Sequence, residues 1–439
     1  MKSRKKKKEF YTEYTARNAL KNGSFIVRLS AIVFGLGCLV HKQIAKGILY
    51  LTSEILLIVY MVQTGFYNLS LYEYVDGDRS LIILLYGIVT LSLILVFFLI
   101  AKSSLKQAYR LECQSKKGEQ ILTLKQELKE LLNGNLHITL LTFPVLGVLM
   151  FTILPLVFMI SMAFTNYSVE GNKLVLFDWV GLENFRKIFD FGGSLGQTFW
   201  SVLGWTMVWA VVATFSNYIL GMLLALFINW KEIRAKKMWR FCFALTVAIP
   251  HFVTLLIIKS MLQPEGAVNI LLRNLGLIGA TQSLPFFTDA TWARVVVILI
   301  NIWVGVPYTL LQVTGILQNI PTELYEAARV DGAGPIVTFM KITLPYMLFV
   351  TTPYLITTFT GNVNNFNVIF LTTEGLPRSV GSTAGKTDLL ITWLYKLTIE
   401  NQYFDVGAVV GIMTFVTLTI VSLVTFTFSG SNRNEEAFR

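Results

Sequence analysis

The stretch Glu326-Ala-Ala-Arg-Val-Asp-Gly-Ala-Gly334, ending a few residues later in Lys341-Ile-Thr-Leu-Pro345, joins the apolar block 293–317 to the apolar block 336–360. Each block is long enough to cross a membrane as a helix, so the polar stretch is expected to form a compact helix-turn-helix at the membrane surface. A short folded element in that position suits docking of a cytosolic partner.

Composition fixes the medium. The 439 residues are 54% hydrophobic and only 14% charged, with mean hydropathy +0.60. A soluble globule of this size needs more polar side chains to cover it, so the chain is expected to be an integral membrane protein. The apolar residues recur in blocks of helical rather than strand length. The fold class implied is all-α, with about eight transmembrane helices near 46–64, 80–101, 136–164, 200–228, 239–262, 293–317, 336–360 and 406–428.

The net charge of +11 is not spread as a nucleic-acid surface would require. Lys and Arg concentrate in alternate loops, above all Lys102 to Lys129 and Lys231 to Arg240, and these loops are assigned to the cytosol. The amino terminus, the Glu326 loop and the carboxyl terminus then fall inside, and 66–79, 165–199, 263–292 and 361–405 fall outside. Segment 24–40 is apolar but carries Arg28, Gly35 and Gly37. If it spanned, the lysine-rich terminus would move outside, so it is read as interfacial or re-entrant.

The domain reading is 1–45 as a basic cytosolic terminus with an interfacial helix, 46–101 as two spans and 102–135 as a cytosolic linker helix. A six-helix core follows at 136–430, with the polar loop at 319–345 that the resemblance given below makes a coupling loop, then a cytosolic tail at 431–439. No removable signal peptide is read at the basic start.

The chemistry available is narrow. Cys38, Cys113 and Cys242 lie far apart and imply no disulfide or metal framework, and three histidines build neither a metal cluster nor a nucleophile-base pair. No catalytic site is read. Glu54 is the one acid well inside a span, which argues against ion coupling, and it lies near enough to the cytosolic end to snorkel. Val380-Gly-Ser-Thr-Ala-Gly-Lys-Thr387 is one residue short of a phosphate-binding loop and falls in an external segment, where a polar turn is expected.

By contrast, Thr357-Thr-Phe-Thr-Gly-Asn-Val-Asn-Asn-Phe-Asn367 is dense in neutral amides. Thr358, Asn362 and Asn365, at i, i+4 and i+7, would share one helical face. The preceding span adds Trp303, Gly305 and Tyr308 around Pro307. Aromatic faces with uncharged hydrogen-bonding groups suit a neutral polyhydroxylated ligand such as a sugar, and polar helix-helix packing is the alternative.

Glu326-Ala327-Ala328, Gly332 and Ile342-Thr-Leu-Pro345 match, at every fixed position and spacing, the signature of the membrane subunits of binding-protein-dependent ABC importers, which the sequence therefore resembles. Within that family it is most similar to the maltose and maltodextrin permeases, from about 136 to 428. Asn301-Ile-Trp-Val-Gly-Val-Pro-Tyr308 and Asn362-Val-Asn-Asn-Phe366 carry much of that likeness.

The resemblance implies a type I importer permease fold whose coupling helix sits in a cleft of the ATPase subunit. Glu326 and Asp331 would be polar anchors there, Ala327 and Ala328 would allow close approach, and Gly332 would turn the chain. It also places sugar contacts on Trp303, Gly305, Tyr308, Thr358, Asn362 and Asn365, with Thr358 where the family has serine.

The partners implied are a second homologous permease, two ATPase subunits that use ATP and Mg, and an extracellular sugar-binding lipoprotein. The chain itself would bind no cofactor or metal and would hydrolyse nothing. The short 165–199 segment and the basic terminus are similar to Gram-positive maltodextrin permeases, in a multi-pass protein of the bacterial cell membrane. The alternatives are the same machine with a galacto-oligosaccharide or another glycan, or an ion-coupled secondary sugar carrier.

Overall fold

The computed structural model describes residues 14–70, 80–122, 136–170, 173–174, 178–230 and 232–428, together with 126, 129, 133 and 134. The tail at 431–439 lies outside them. Among the described residues, seven helices are long and apolar enough to cross a membrane, and a bent pair raises the number to eight. The chain divides after Trp179 into two compact units.

In the first unit, α1 (Ala16–Asn22), α2 (Phe25–Leu29) and α3 (Leu36–Val40) pack on the basic end of a long helix, α5 (Ser80–Lys117). Ala19, Val27, Leu105, Ala108, Tyr109 and Cys113 form their shared core. The first part of the stretch read as a separate linker helix is thus the continuation of α5, which stops only at Gly118, where φ is +71°.

The loop before α3 is pinned by side chains from two spans. Ser104 Oγ accepts from Gly35 N at 2.8 Å and donates to Ser30 O at 3.0 Å. Glu54, within α4 (Ile44–Ser70), accepts from Phe34 N at 2.8 Å and is buried. Glu54 is therefore satisfied by a backbone amide, not by snorkelling. The segment 24–40 supplies the hydrogen-bond partner that a buried carboxylate needs.

α6 (Leu136–Val148) and α7 (Leu154–Met162) follow, joined through a π turn, and the short strands β1 (Val169–Glu170) and β2 (Lys173–Leu174) pair antiparallel.

The second unit is built on α9 (Ser194–Asn229) packed along α13 (Ala290–Leu317), with α16 (Leu344–Val363) against both; α8 (Glu183–Phe189) precedes α9. Close approach of α9 and α13 depends on small residues. A Cβ on Gly221 would lie 2.7 Å from Thr309 Cβ, and one on Gly305 would lie 2.2 Å from Asn217 Nδ2.

The block expected as one span at 239–262 is instead α10 (Lys236–Ala248) and α11 (His251–Met261), bent by 86° at Ile249-Pro250. Proline has no N–H to donate and disfavours the helical backbone of the residue before it, so Ile249 is extended. α12 (Ala267–Asn274) lies in the loop that follows.

Beyond α13 come α14 (Thr322–Val330) and α15 (Pro335–Thr338), which runs through a π turn into α16. α17 (Phe366–Thr372), α18 (Leu390–Tyr395) and α19 (Phe404–Phe428) complete the chain.

Candidate functional site

Two regions hold the residues singled out from sequence. The first is α14 and its turn. Asp331 N donates to Ala327 O at 3.0 Å, Gly332 N to Arg329 O at 3.1 Å and Ala333 N to Ala328 O at 2.8 Å. The last bond wraps back over a residue in the left-handed region, Gly332, with φ +73°. A side chain in that conformation is costly, which is the physical reason for glycine here.

α14 is seated by Ala328, which is buried, and by Tyr325, whose hydroxyl lies 3.1 Å from Thr343 Oγ1. Tyr325 also packs on a core of Tyr218, Met222, Val313 and Met347, drawn from α9, α13 and α16, with Ile320 from the connection before α14. Through Tyr325, α14 is thus packed against residues of all three spans. Glu326, Ala327, Asp331 and Gly332 remain exposed, beside Val330 at 88% and Ile336 at 78% exposure. That surface carries apolar and acidic side chains and is left uncovered by the described residues.

The second region is a polar seam where α9, α13 and α16 meet. Asn362 Nδ2 donates to Thr214 Oγ1 at 3.0 Å, and Asn362 O accepts from Trp209 Nε1 at 3.0 Å. Asn365 does not continue the face of Thr358 and Asn362, because α16 ends at Val363 and Asn364 leaves helical geometry. Asn365 instead caps α17, accepting from Val368 N at 3.3 Å, and reaches Asn301 Oδ1 at 3.4 Å.

Gly305 lies under Asn217, so Gly305, Asn362 and Asn365 all adjoin the seam. Thr358 is half-buried on α16. Trp303 and Tyr308 point away from the seam's core, 72% and 45% exposed. Two further seam residues are given no site role from sequence. Asn217 Oδ1 and Asn301 Nδ2 are buried without a hydrogen-bond partner. Asn217 sits alone in an apolar block, and only its position over Gly305 reveals that it belongs here.

Among the described residues no three of His, Cys, Asp and Glu converge as a metal site would need. The stretch 380–387 forms a hairpin bridged between Arg378 and Gly385, with Val380 at its exposed tip.

This arrangement of spans, exposed surface helix and polar seam has known relatives. The family described as "Binding-protein-dependent transport system inner membrane component" matches residues 217–433. The maltodextrin transport system permease protein MdxF of Bacillus subtilis (strain 168) is 36% identical over 427 residues, covering 93% of this chain and 96% of that protein. The galactooligosaccharides transport system permease protein GanP of the same organism is 34% identical over 417 residues, covering 93% and 99%. MalF of Escherichia coli (strain K12) is 36% identical over 250 residues, 56% of this chain and 48% of MalF. A bacterial alginate ABC transporter chain aligns with TM-score 0.57 at 22% identity, over 70% of this chain and 98% of that one.

The chain belongs to the family of membrane components of binding-protein-dependent transport systems. It is an all-α, multi-span permease subunit with the ABC importer permease fold, and it is not itself an enzyme, the ATPase being a separate subunit.

Proposed function

We propose that this chain is one half of the translocation pathway for maltodextrin-type oligosaccharides. It would work with a second homologous permease, two ATPase subunits and an extracellular sugar-binding lipoprotein in the cell membrane of a Gram-positive bacterium, with both termini cytosolic. The observation that carries the reading is the pairing of a buried neutral polar seam with two uncovered aromatic rings, Trp303 and Tyr308, on the same spanning helix. Large amphipathic rings left uncovered on a spanning helix beside polar groups suit a partner surface with a polar path along it.

Closure of the ATPase dimer would move α14 with α9, α13 and α16 as a body and open the side away from α14. Sugar would then meet Trp303, Tyr308 and Thr358. Gly305 gives the room, and Asn362 and Asn365 hold the seam in register. Glu326 and Asp331 would anchor the ATPase contact, Ala327 and Ala328 would allow its close approach, and Gly332 sets its end. ATP and Mg would act on the partner alone.

A galacto-oligosaccharide cargo, the substrate in the name of GanP, is the reading to be separated from it. A panel of neutral sugars tested for stimulation of ATPase activity in the reconstituted transporter separates the two. Stimulation by maltodextrins that is lost in Glu326→Lys supports the importer reading. Stimulation untouched by that change overturns it.

A further inference from the structure

At the end of the second unit opposite α14, roughly 35 Å along α13 from its last turn, α9, α13 and the 373–388 segment enclose a cavity of about 300 Å³. Its walls are fixed by the fold. Trp205 Nε1 donates to Thr387 O at 3.2 Å, Arg294 Nε donates to Lys386 O at 2.9 Å, and the Thr373 and Thr387 hydroxyls lie 2.8 Å apart.

The lining mixes polar and apolar groups and carries uncompensated positive charge. Ser194, Gln197 and Ser201 follow one another at i, i+3 and i+7 and so share a face of α9. Arg294 lies over the Trp205 ring at 4.6 Å and spends only Nε on the protein, so both Nη groups lack a protein partner among the described residues. Lys386 stands exposed on the same lining, with no carboxylate within ion-pair distance among the described residues. Asp388, the one acid on that lining, is already held by Lys396 at 2.7 Å.

A planar guanidinium backed by an aromatic ring and facing hydroxyl and amide groups fits a carboxylate through its free fork. A neutral sugar gives no use for two unpaired cations. A free small anion gives no use for Val380, which stands fully exposed on the same lining at the hairpin tip. An apolar side chain beside a charged socket is the pattern of a protein contact.

We propose that this cavity is a docking socket for an acidic side chain of the extracytoplasmic substrate-binding protein, with Arg294 and Lys386 as its cationic ligands and Val380 as the apolar contact at its edge. The inference rests on the importer reading, which supplies a protein partner on the side away from α14. Charge in the socket would speed and orient docking and make it sensitive to salt.

The test is titration of the sugar-loaded binding protein onto the complete transporter in lipid nanodiscs, at low and high salt. Lys386→Gln removes a charge and keeps the backbone carbonyl that Arg294 uses, so the hairpin stays pinned. It is expected to weaken binding several-fold, Lys386→Glu more, and Arg294→Gln with Lys386→Gln by about tenfold or beyond. The salt dependence should flatten in step with the lost charge.

Unchanged affinity and salt dependence in both Lys386 variants, with the complex intact, overturns the socket. So does a shift in transported-sugar affinity without a shift in binding-protein affinity. Failure of the unaltered transporter to bind any such protein is a different result, and it overturns the importer reading as well.

Discussion

Lys396 Nζ lies 2.7 Å from Asp388 Oδ2, and the two side chains are 6% and 0% exposed. Asp388 also accepts from Gly385 N at 2.7 Å and Thr392 Oγ1 at 2.9 Å, while Lys396 donates to Glu374 O at 2.7 Å. Gly375 makes room for the pair, since a Cβ there would lie 2.1 Å from Asp388 Oδ1. The 373–396 segment is thus folded around one buried ion pair, and this pair fixes the hairpin that walls the socket.

Removing one partner leaves the other charged and buried. Lys396→Met is expected to destabilise the solubilised subunit by about 3–5 kcal/mol, and Lys396→Met with Asp388→Leu by clearly less. Thermal unfolding of the two variants measures the difference. Equal losses would show that packing, not charge, dominates.

Gly332→Ala places a side chain in the left-handed region and is expected to cost about 1–2 kcal/mol at the end of α14. Because that turn sets the exposed surface carrying Glu326 and Asp331, transport-coupled ATPase activity should fall while the spans stay folded. Gly332→Asn, which tolerates this conformation better, should be milder. Parallel assays of ATPase stimulation and helix content check both statements.

Asn362 and Trp303 should separate by readout. Asn362 is buried and bonded to Thr214, so Asn362→Ala is expected to lower stability by about 1–3 kcal/mol as well as transport. Trp303 is open, so Trp303→Ala should leave stability within about 0.5 kcal/mol and raise the sugar KM. A Trp303→Ala transporter with unchanged KM would remove that ring from the pathway.

Glu54 invites an isosteric comparison. Glu54→Gln keeps an acceptor for Phe34 N and should be tolerated, whereas Glu54→Leu orphans a buried amide and is expected to cost about 1–3 kcal/mol. Hydrogen exchange at the Phe34 amide reads the change directly.

Arg273 bonds Glu265 Oε2 at 2.9 Å, and that hydrogen bond, with the charge behind it, holds the Glu265 carboxyl below its usual range. A depressed carboxylate contributes stability above its unfolded pKa and loses it as pH falls through the folded value. Acidification should therefore increase exchange around Gly279 and Gln282, which Arg273 also ties through Gln282 O. In Glu265→Gln the pH dependence should vanish.

The membrane class, the number of spans and the α14 turn were legible in the sequence because each rests on local physics. An apolar run of helical length has one stable answer in lipid, and a fixed spacing ending in glycine specifies its own turn. The bend at Pro250 was also a local signal, yet its 86° size was not. The continuation of α5 through its charged end was hidden for a related reason. Packing of α1, α2 and α3 against it, not helix propensity, carries that stretch.

What the sequence could not supply was pairing at a distance. Asn362 reads equally well as a sugar ligand or a helix-helix bond, and only the approach of α9, 148 residues away in sequence, gives it Thr214. Asn217 and Arg294 look like an isolated amide and a helix-end anchor until the fold sets one over Gly305 and the other over Trp205. Polar groups in a low-dielectric interior are decided by the partners they find, and those partners exist only once the helices have packed.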